Sequence, residues 1–271
     1  MDKNFPVFLL VWLLISTLSG CSVKEDRNTC PCQVKMDMRA LKEIKNLSTV
    51  LLVGYSDDKL VFSDTLNPKE IPDMYEKTFP QGEIVIGCFM PPASVTDISC
   101  MGKRKLKGLI DIKEGRECPP VFMGISLLQR TNEIINHKVE LHKNYCRLTL
   151  NILNIDNFNP YIYKLTSSVN GYAWNGTPSR GTFYVNKRVL NYSKDFSVYL
   201  PRQIDNSLML HIIDDKEEVK SFAIGEYIEA RGYDWKASDL DDLELTLDFT
   251  STDITVNVDR WSKKKYLDIL M

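Results

Sequence analysis

The sequence predicts an all-β protein made of two tandem β-sandwich domains. Short segments in which alternate residues are apolar recur along the chain, and turn-forming residues separate them roughly every ten residues. No segment sustains the 3.6-residue apolar period of a long amphipathic helix. With 271 residues, of which 44% are apolar, the chain can bury two cores of ordinary domain size.

Residues 1–20 have the composition of a cleaved export signal. Lys3 supplies a positive charge, and the apolar run Phe5–Ile15 is shorter than the roughly 20 residues that a membrane-spanning helix needs. The run is followed by Leu-Ser-Gly and then Cys21. This pattern resembles the lipobox of bacterial lipoproteins, which implies that the Cys21 sulfur becomes the lipid attachment site of the mature chain. An ordinary secretory signal followed by an unrelated cysteine is the alternative.

Residues 21–32 are interpreted as a lipidated tether. The segment Ser22–Asp26 places a lysine and two acidic residues directly after Cys21, and it resembles the surface-export signal of Bacteroidetes lipoproteins. A charged segment is also typical of any flexible tether. The expected location is the outer membrane, held by lipid and exposed at the cell surface.

The N-terminal sandwich is predicted over residues 33–140. Its first strand lies near Gln33–Arg39, where Val34, Met36 and Met38 alternate with polar residues. Continuous apolar strands are expected over Val50–Tyr55 and Glu83–Met90, with a strand at KLVF between them. Pro68–Lys77 has room for a helical turn, because Pro72 argues against a longer helix.

The C-terminal sandwich is predicted over residues 141–271, with the junction near 136–143. Alternating apolar residues define strands at CRLTLNIL (146–153) and in segments around Phe183, Val198, Leu247 and Val256. The parity of the alternation changes across Thr250–Asp253, which predicts a hairpin there. The glycine-containing stretch NGYAWNGTPSRG, residues 170–181, is expected to be a long loop.

Six cysteines remain besides Cys21, and an even number in an exported chain permits disulfides. At most one or two bridges are expected, and their pairing stays open. Cys88 lies in an apolar strand and is expected to be a buried thiol. The set is Cys30, Cys32, Cys88, Cys100, Cys118 and Cys146.

The sequence contains no motif of a hydrolase, nucleotide-binding enzyme or zinc protease, so no catalytic residue, cofactor or metal is assigned. His137 and His142 are five residues apart, a spacing that puts them on opposite faces of a strand. Acidic residues at 214–215 and 239–242 are interpreted as solvated loops, with a calcium site as the minority alternative. The net charge of −2 gives no reason to expect nucleic-acid binding.

The C-terminal half resembles the FimB-type fimbrial anchor family of Bacteroidales. The resemblance is carried by Pro201–Leu210, by Gly225–Phe249 and by ITVNVDRW ending at Trp261. The segment from Cys21 through KEDRNTCPC is similar to the mature N-terminus of that family, whereas residues 40–130 resemble it only in strand layout.

This resemblance implies two transthyretin-like sandwiches and a structural role. The protein would fix a fimbria to the outer membrane through the lipid on Cys21, bind the fimbrial stalk subunits and limit fibre length. The family's stalk subunits exchange strands after an N-terminal strand is cut away. Such a cut would here sever the domain from its lipid, so we expect the first strand to be retained and the next subunit to bind a sheet edge or the tail Ser262–Met271.

Two different functions would also fit the sequence. A surface glycan-binding lipoprotein would use aromatic residues as a sugar platform, and the candidates are Tyr172, Trp174, Tyr233 and Trp235. A fimbrial tip adhesin would share the fold and differ only in its position on the fibre.

Overall fold

The structure, a computed structural model, describes residues 31–42, 49–56, 59–80, 82–90, 110–130, 133–154, 161–173, 175–189, 195–214, 217–251 and 253–260. Within these ranges the chain is built mainly from β-strands, and the all-β prediction is confirmed. Two short α-helices and one 3₁₀-helix also occur there. A membrane-spanning helix is not found among the described residues, because none of their helices is long and apolar enough.

The first half of the chain contributes nine strands, one α-helix and one 3₁₀-helix among the described residues. They are β1 (Pro31–Asp37), α1 (Arg39–Lys42), β2 (Val50–Ser56), β3 (Lys59–Leu66), the 3₁₀-helix Pro68–Glu70, β4 (Met74–Pro80), β5 (Gly82–Met90), β6 (Ile110–Asp111), β7 (Phe122–Arg130), β8 (Ile134–Lys138) and β9 (His142–Lys143).

The second half contributes eight further strands and one helix among the described residues. They are β10 (Tyr145–Leu153), β11 (Ile162–Tyr172), β12 (Pro178–Arg188), β13 (Asp195–Pro201), β14 (Met209–Asp214), β15 (Glu217–Phe222), α2 (Ile224–Ala230), β16 (Asp242–Asp248) and β17 (Ile254–Asp259).

Two sheets form the N-terminal sheet pair. One has the order β4-β1-β8, with β1 antiparallel to β4 and parallel to β8, and the other is antiparallel with the order β3-β2-β5-β7-β9. Apolar side chains between the sheets hold them together. Val34 and Met36 of β1 are fully buried, and Phe62 of β3 contacts Phe79 of β4 with ring centroids 5.3 Å apart.

Two further sheets form the C-terminal sheet pair, with the orders β13-β10-β16-β17 and β12-β11-β14-β15. The pairing of β10 with β16 is parallel, and the other pairings in these two orders are antiparallel. Leu150, Leu165, Leu210 and Leu245 are fully buried between the two sheets. The alternation of buried and exposed residues therefore places one apolar face of each sheet against the other.

Two short strands connect the sheet pairs. The strand β6, from the first half of the chain, pairs with the end of β11 in the C-terminal sheets. The strand β9, which directly precedes β10 of the C-terminal sheets, pairs with the start of β7 in the N-terminal sheets. Glycines permit close backbone approach at both places. A Cβ at Gly124 would lie 1.9 Å from the Glu140 carbonyl oxygen, and one at Gly171 would lie 1.9 Å from that of Ile110.

Most predicted strands are present. One local prediction was wrong, one was confirmed, and one helix was missed. The stretch 170–181 is not a long loop, because β11 and β12 extend into it and leave 173–177 between them. The Pro68–Lys77 segment does contain a helical turn, but β4 already begins at Met74. The helix α2 was not predicted, since its seven residues are too few to show a helical period.

Candidate functional site

The predicted lipidation residue, Cys21, lies outside the described residues, which begin at Pro31 in strand β1. This strand is the middle strand of its sheet. It pairs with β4 from Pro31 to Asp37, and with β8 from Gln33 onward. The chain that leads back to Cys21 therefore leaves from a strand that is hydrogen-bonded on both sides.

The side chains of β1 also hold the strand in place. Cys32, Val34, Met36 and the following Met38 all have zero exposed surface, so the inward face of the strand is completely buried. Large-to-small substitutions at such buried sites cost about 2–5 kcal/mol each. A segment with this burial cannot leave the fold without opening the core.

A polar clasp closes the far end of β1. The Arg39 guanidinium donates to both carboxylate oxygens of Asp37, at 2.9 and 2.6 Å, and the Arg39 backbone N–H donates to the same group at 3.1 Å. These hydrogen bonds lower the pKa of Asp37 to about 2. The carbonyl of Asp37 accepts from the Val139 N–H at 3.0 Å, which joins this end of β1 to the end of β8.

A buried lysine lies where the two sheet pairs meet. The Lys143 ammonium is 2% exposed and donates to Asp242 at 2.7 Å and to the Leu240 carbonyl at 2.8 Å. It also lies 4.7 Å from the centre of the Tyr145 ring. The backbone N–H of Lys143 donates to Asp239 at 2.7 Å. These contacts tie β9, which belongs to the N-terminal sheets, to the loop before β16.

An arginine and a tyrosine extend this connection. The Arg202 guanidinium donates to the carbonyls of Trp235 and Ala237 at 2.5 and 2.7 Å and to the Asn144 side chain at 3.1 Å. The fully buried Tyr172 hydroxyl donates to the Asn144 carbonyl and accepts from the Arg202 N–H at 2.8 Å. Burial raises the pKa of Tyr172 and lowers that of Arg202. These hydrogen bonds therefore join Arg202 and Tyr172 to Asn144 and to the loop that contains Trp235 and Ala237.

The Pro201–Leu210 segment, which carries part of the family resemblance, includes a turn fixed by local contacts. The Asp205 carboxylate accepts from the Ser168 hydroxyl at 2.9 Å and from the Ser207 N–H at 3.1 Å, and these hydrogen bonds lower its pKa. The Asn206 carbonyl lies against Gly225, where a Cβ would approach it to 2.3 Å. Both residues fix the turn before β14.

Four aromatic residues would serve a glycan-binding protein, and the three that the structure describes do not form an open platform. Tyr172 is fully buried, and Tyr233 is 9% exposed with its hydroxyl bonded to the Asp241 carbonyl at 2.6 Å. Trp235 is partly buried against Tyr233, with ring centroids 4.6 Å apart. Trp174 lies outside the described residues, as does Trp261. Two of the four rings are therefore core residues and present no face to a sugar.

The histidines and acidic residues are used in local contacts. His137 and His142 do not share a strand as predicted, since His137 is in β8 and His142 in β9. His142 lies 3.3 Å from Asp239, and His211 lies 2.9 Å from Glu218. Over the described parts of the chain, no group of three or more metal-binding side chains comes together.

Besides Cys32 in β1, three cysteines of the described residues are deeply buried thiols. Cys88 is 1% exposed, as predicted, and Cys118 and Cys146 are equally inaccessible. Burial raises the pKa of each thiol, that of Cys146 to about 12. Cys30 and Cys100 lie outside the described residues, so the disulfide question stays open for them.

Several strands lie at sheet edges and offer backbone groups for pairing. In the described residues these edges are β3, β4, β8, β9, β12, β13, β15 and β17. The strand β17 pairs with β16 from Ile254 to Asp259, directly before the predicted binding tail, which lies outside the described residues. An edge strand can accept an added strand from another protein.

Comparison with known proteins shows similarity in fold. No protein-family profile matches the sequence, and no curated protein matches it. The fimbrial anchor protein Mfa2 from Porphyromonas gingivalis is 14% identical, with a TM-score of 0.58 over 86% of this chain and 98% of that one.

Two Bacteroides structures are similar to a comparable degree. A proposed polysaccharide-binding protein from Bacteroides thetaiotaomicron is 13% identical, with a TM-score of 0.58 over 86% of this chain and 99% of that one. A proposed adhesin from Bacteroides ovatus is 14% identical, with a TM-score of 0.52 over 85% of this chain and 94% of that one. At these identities the likeness establishes the shared fold.

Proposed function

We propose that this chain is a lipoprotein of the FimB type, with two transthyretin-like sandwiches, that anchors a fimbria to the outer membrane and limits its length. The observation that carries the proposal is the position of β1. The strand next to the predicted lipid is the middle strand of its sheet, and its inward side chains are fully buried. The fold similarity to a fimbrial anchor over nearly its whole length supports the proposal.

The geometry of β1 suits a load-bearing connection. A force on the lipid would pull β1 along its own axis, so that its hydrogen bonds to β4 and β8 would be loaded together in shear. The Asp37–Arg39 clasp and the bond from Val139 hold the opposite end. An anchor needs this resistance, because the whole fibre pulls on one chain.

The same geometry bears on how subunits join. Removing β1 would separate β4 from β8 and expose a buried apolar face. The anchor therefore keeps its first strand and receives the next stalk subunit at an open edge, for which β17 and the following tail are the candidates. We assign no catalytic residue and no cofactor to this role.

Replacing Cys21 with Ala in the native cell tests the proposal. A basal anchor that has lost its lipid should release long fibres into the medium, with this subunit at one end. Mass spectrometry of the wild-type N-terminus should show an acylated Cys21. The proposal would be wrong if Cys21 carried no lipid, or if the fibres stayed on the cells unchanged.

A tip adhesin is the second candidate, since a proposed adhesin shares the fold. A proposed polysaccharide-binding protein is at least as similar, so the fold alone does not separate the two. The Cys21→Ala experiment separates anchor from tip. If the fibres remain attached and immunogold labelling places this subunit at the free end, the protein is a tip component. Glycan binding is the weaker candidate because Tyr172 and Tyr233 are buried.

A further inference from the structure

Several chain connections meet at one end of the N-terminal sheet pair. The strand registers place Pro31 opposite Pro80, Ser56 opposite Lys59, and Gly82 opposite Arg130. The start of β8 is beside the start of β1, because those strands are parallel. We call this the N-terminal end, since the chain leaves it toward Cys21.

An exposed row of apolar side chains crosses the sheet near this end. Tyr55 is opposite both Leu60 and Val85, and Val85 is opposite Leu127. Leu60 is 42% exposed, Val61 48% and Leu127 58%, while Tyr55 and Val85 are partly buried. We call these five residues the apolar row.

The apolar row lies on the outer face of its sheet. Phe62, Ile84 and Ile86, which alternate with row residues along β3 and β5, point into the core and are buried. The register between β2 and β3 shifts beside Tyr55, so that Val61 is an extra residue next to Leu60. Such a bulge turns both side chains outward.

Other described parts of the chain cover the rest of this face, whereas Leu60, Val61 and Leu127 of the row are exposed. The strand β9 pairs with Phe122 and Met123, at the opposite end of β7 from Arg130. A Cβ at Gly176 would lie 2.8 Å from Ile125, so the turn between β11 and β12 reaches that position. Leu127, two residues further along β7, is still the most exposed large apolar side chain of the described residues.

The position of the apolar row relative to the tether indicates which surface the row contacts. Only nine residues lie between Cys21 and Pro31, and the ten residue-to-residue steps that join them span at most about 36 Å when fully extended. A lipid on Cys21 therefore brings the N-terminal end close to the bilayer surface. A fibre, by contrast, must leave the anchor on the side away from the membrane.

We propose that the apolar row rests on the interfacial zone of the lipid bilayer in the lipidated protein. This inference depends on the proposed lipid anchor. Leu60, Val61 and Leu127 would enter the boundary between headgroups and acyl chains, and the Tyr55 ring has the amphipathic character that favours this zone. The neighbouring pair, in which Gln129 donates to Glu83 at 2.8 Å, would face the polar headgroups.

A tryptophan at position 127 tests this contact in the full lipidated chain. Leu127→Trp and the control Leu153→Trp are compared, because Leu153 is similarly exposed at 43% but lies in β10 of the C-terminal sheets. Both proteins are reconstituted into phosphatidylethanolamine–phosphatidylglycerol vesicles carrying lipids brominated near the headgroup. The emission of the parent protein is subtracted to remove the native tryptophans.

We expect Trp emission at position 127 to fall roughly twofold on bromination, with a blue shift, and emission at position 153 to stay unchanged. Hydroxyl-radical footprinting of the unmodified lipoprotein gives an independent measurement. In vesicles, Leu60 and Leu127 should be protected relative to the lipid-free Cys21→Ser chain, and Leu153 should not.

The outcomes separate this inference from the proposed function. If Cys21 is acylated but neither quenching nor protection occurs, the membrane contact is wrong and the anchor proposal stands. If protection of Leu127 appears only when a second protein is added, the row binds a protein and the inference is overturned. If Cys21 carries no acyl group, both proposals fail.

Discussion

Replacing the buried Lys143 with Met is expected to destabilise the fold by about 3 kcal/mol. The change keeps an unbranched apolar stem but removes the ammonium, which is 2% exposed. The Leu240 carbonyl then loses its donor at 2.8 Å, and Asp242 loses a cation at 2.7 Å. Removing one partner of a buried ion pair costs about 3–5 kcal/mol.

The lower end of that range applies here because Asp242 keeps other partners. It is 17% exposed, accepts from the Arg147 N–H at 2.8 Å and lies 3.6 Å from the Arg147 guanidinium. The matched control is Arg147→Met, which removes a guanidinium that is 44% exposed. Exposed pairs contribute about 0–1 kcal/mol, so the control should change stability little.

Urea unfolding at neutral pH, followed by circular dichroism, measures both effects on the chain from residue 22 onward. With a denaturant dependence of about 3 kcal/mol per molar urea, the Lys143→Met midpoint should fall by about 1 M. Equal midpoints for Lys143→Met and Arg147→Met would refute the reasoning, because they would show that the buried pair stabilises the junction no more than an exposed one.

Two further predictions concern titratable groups. The hydrogen bonds from Arg39 hold the pKa of Asp37 at about 2, below its unfolded value of about 3.9, so this stabilisation is present above pH 4 and is lost as the pH falls toward 2. Asp37→Asn should therefore make the urea midpoint fall less between pH 5 and pH 2.5, and an unchanged pH dependence would contradict the clasp. Burial raises the pKa of Cys146 to about 12, so iodoacetamide at pH 8 should alkylate it only after unfolding. Rapid labelling in the native protein, or a disulfide at Cys146 by peptide mass spectrometry, would contradict this.

Local patterns in the sequence were enough to predict individual strands. The alternation at Val34, Met36 and Met38 predicts the buried face of β1, because side chains of a strand alternate between its two faces. The parity change near Thr250 likewise predicts the hairpin between β16 and β17, and the register pairs Leu247 with Ile254. Each of these features is specified by neighbouring residues.

Features that depend on distant pairing could not be predicted in this way. Glycines in the 170–181 stretch were interpreted as a loop signal, but Gly171 lies in a strand that pairs with β6. A glycine is needed there because the Ile110 backbone passes too close for a side chain. Lysine is usually a surface residue, so the sequence gives no sign that Lys143 is buried. Its burial is explained by its contacts with Leu240 and Asp242. The central position of β1 also depends on strands far along the chain, as β8 begins at Ile134.

The pairing of β6 with β11 has a consequence for the order of folding during synthesis. A chain that emerges from the ribosome N-terminus first can pair β1 with β4 and β2 with β5 early, but the edge strand β9 becomes available only when His142 and Lys143 have emerged. The strand β6 emerges before its partner residues in β11, which follow about 60 residues later. The N-terminal sheets therefore remain incomplete until β9 has emerged, and β6 waits longer for β11. A chaperone that binds exposed strands would have its longest access to the segment around Ile110.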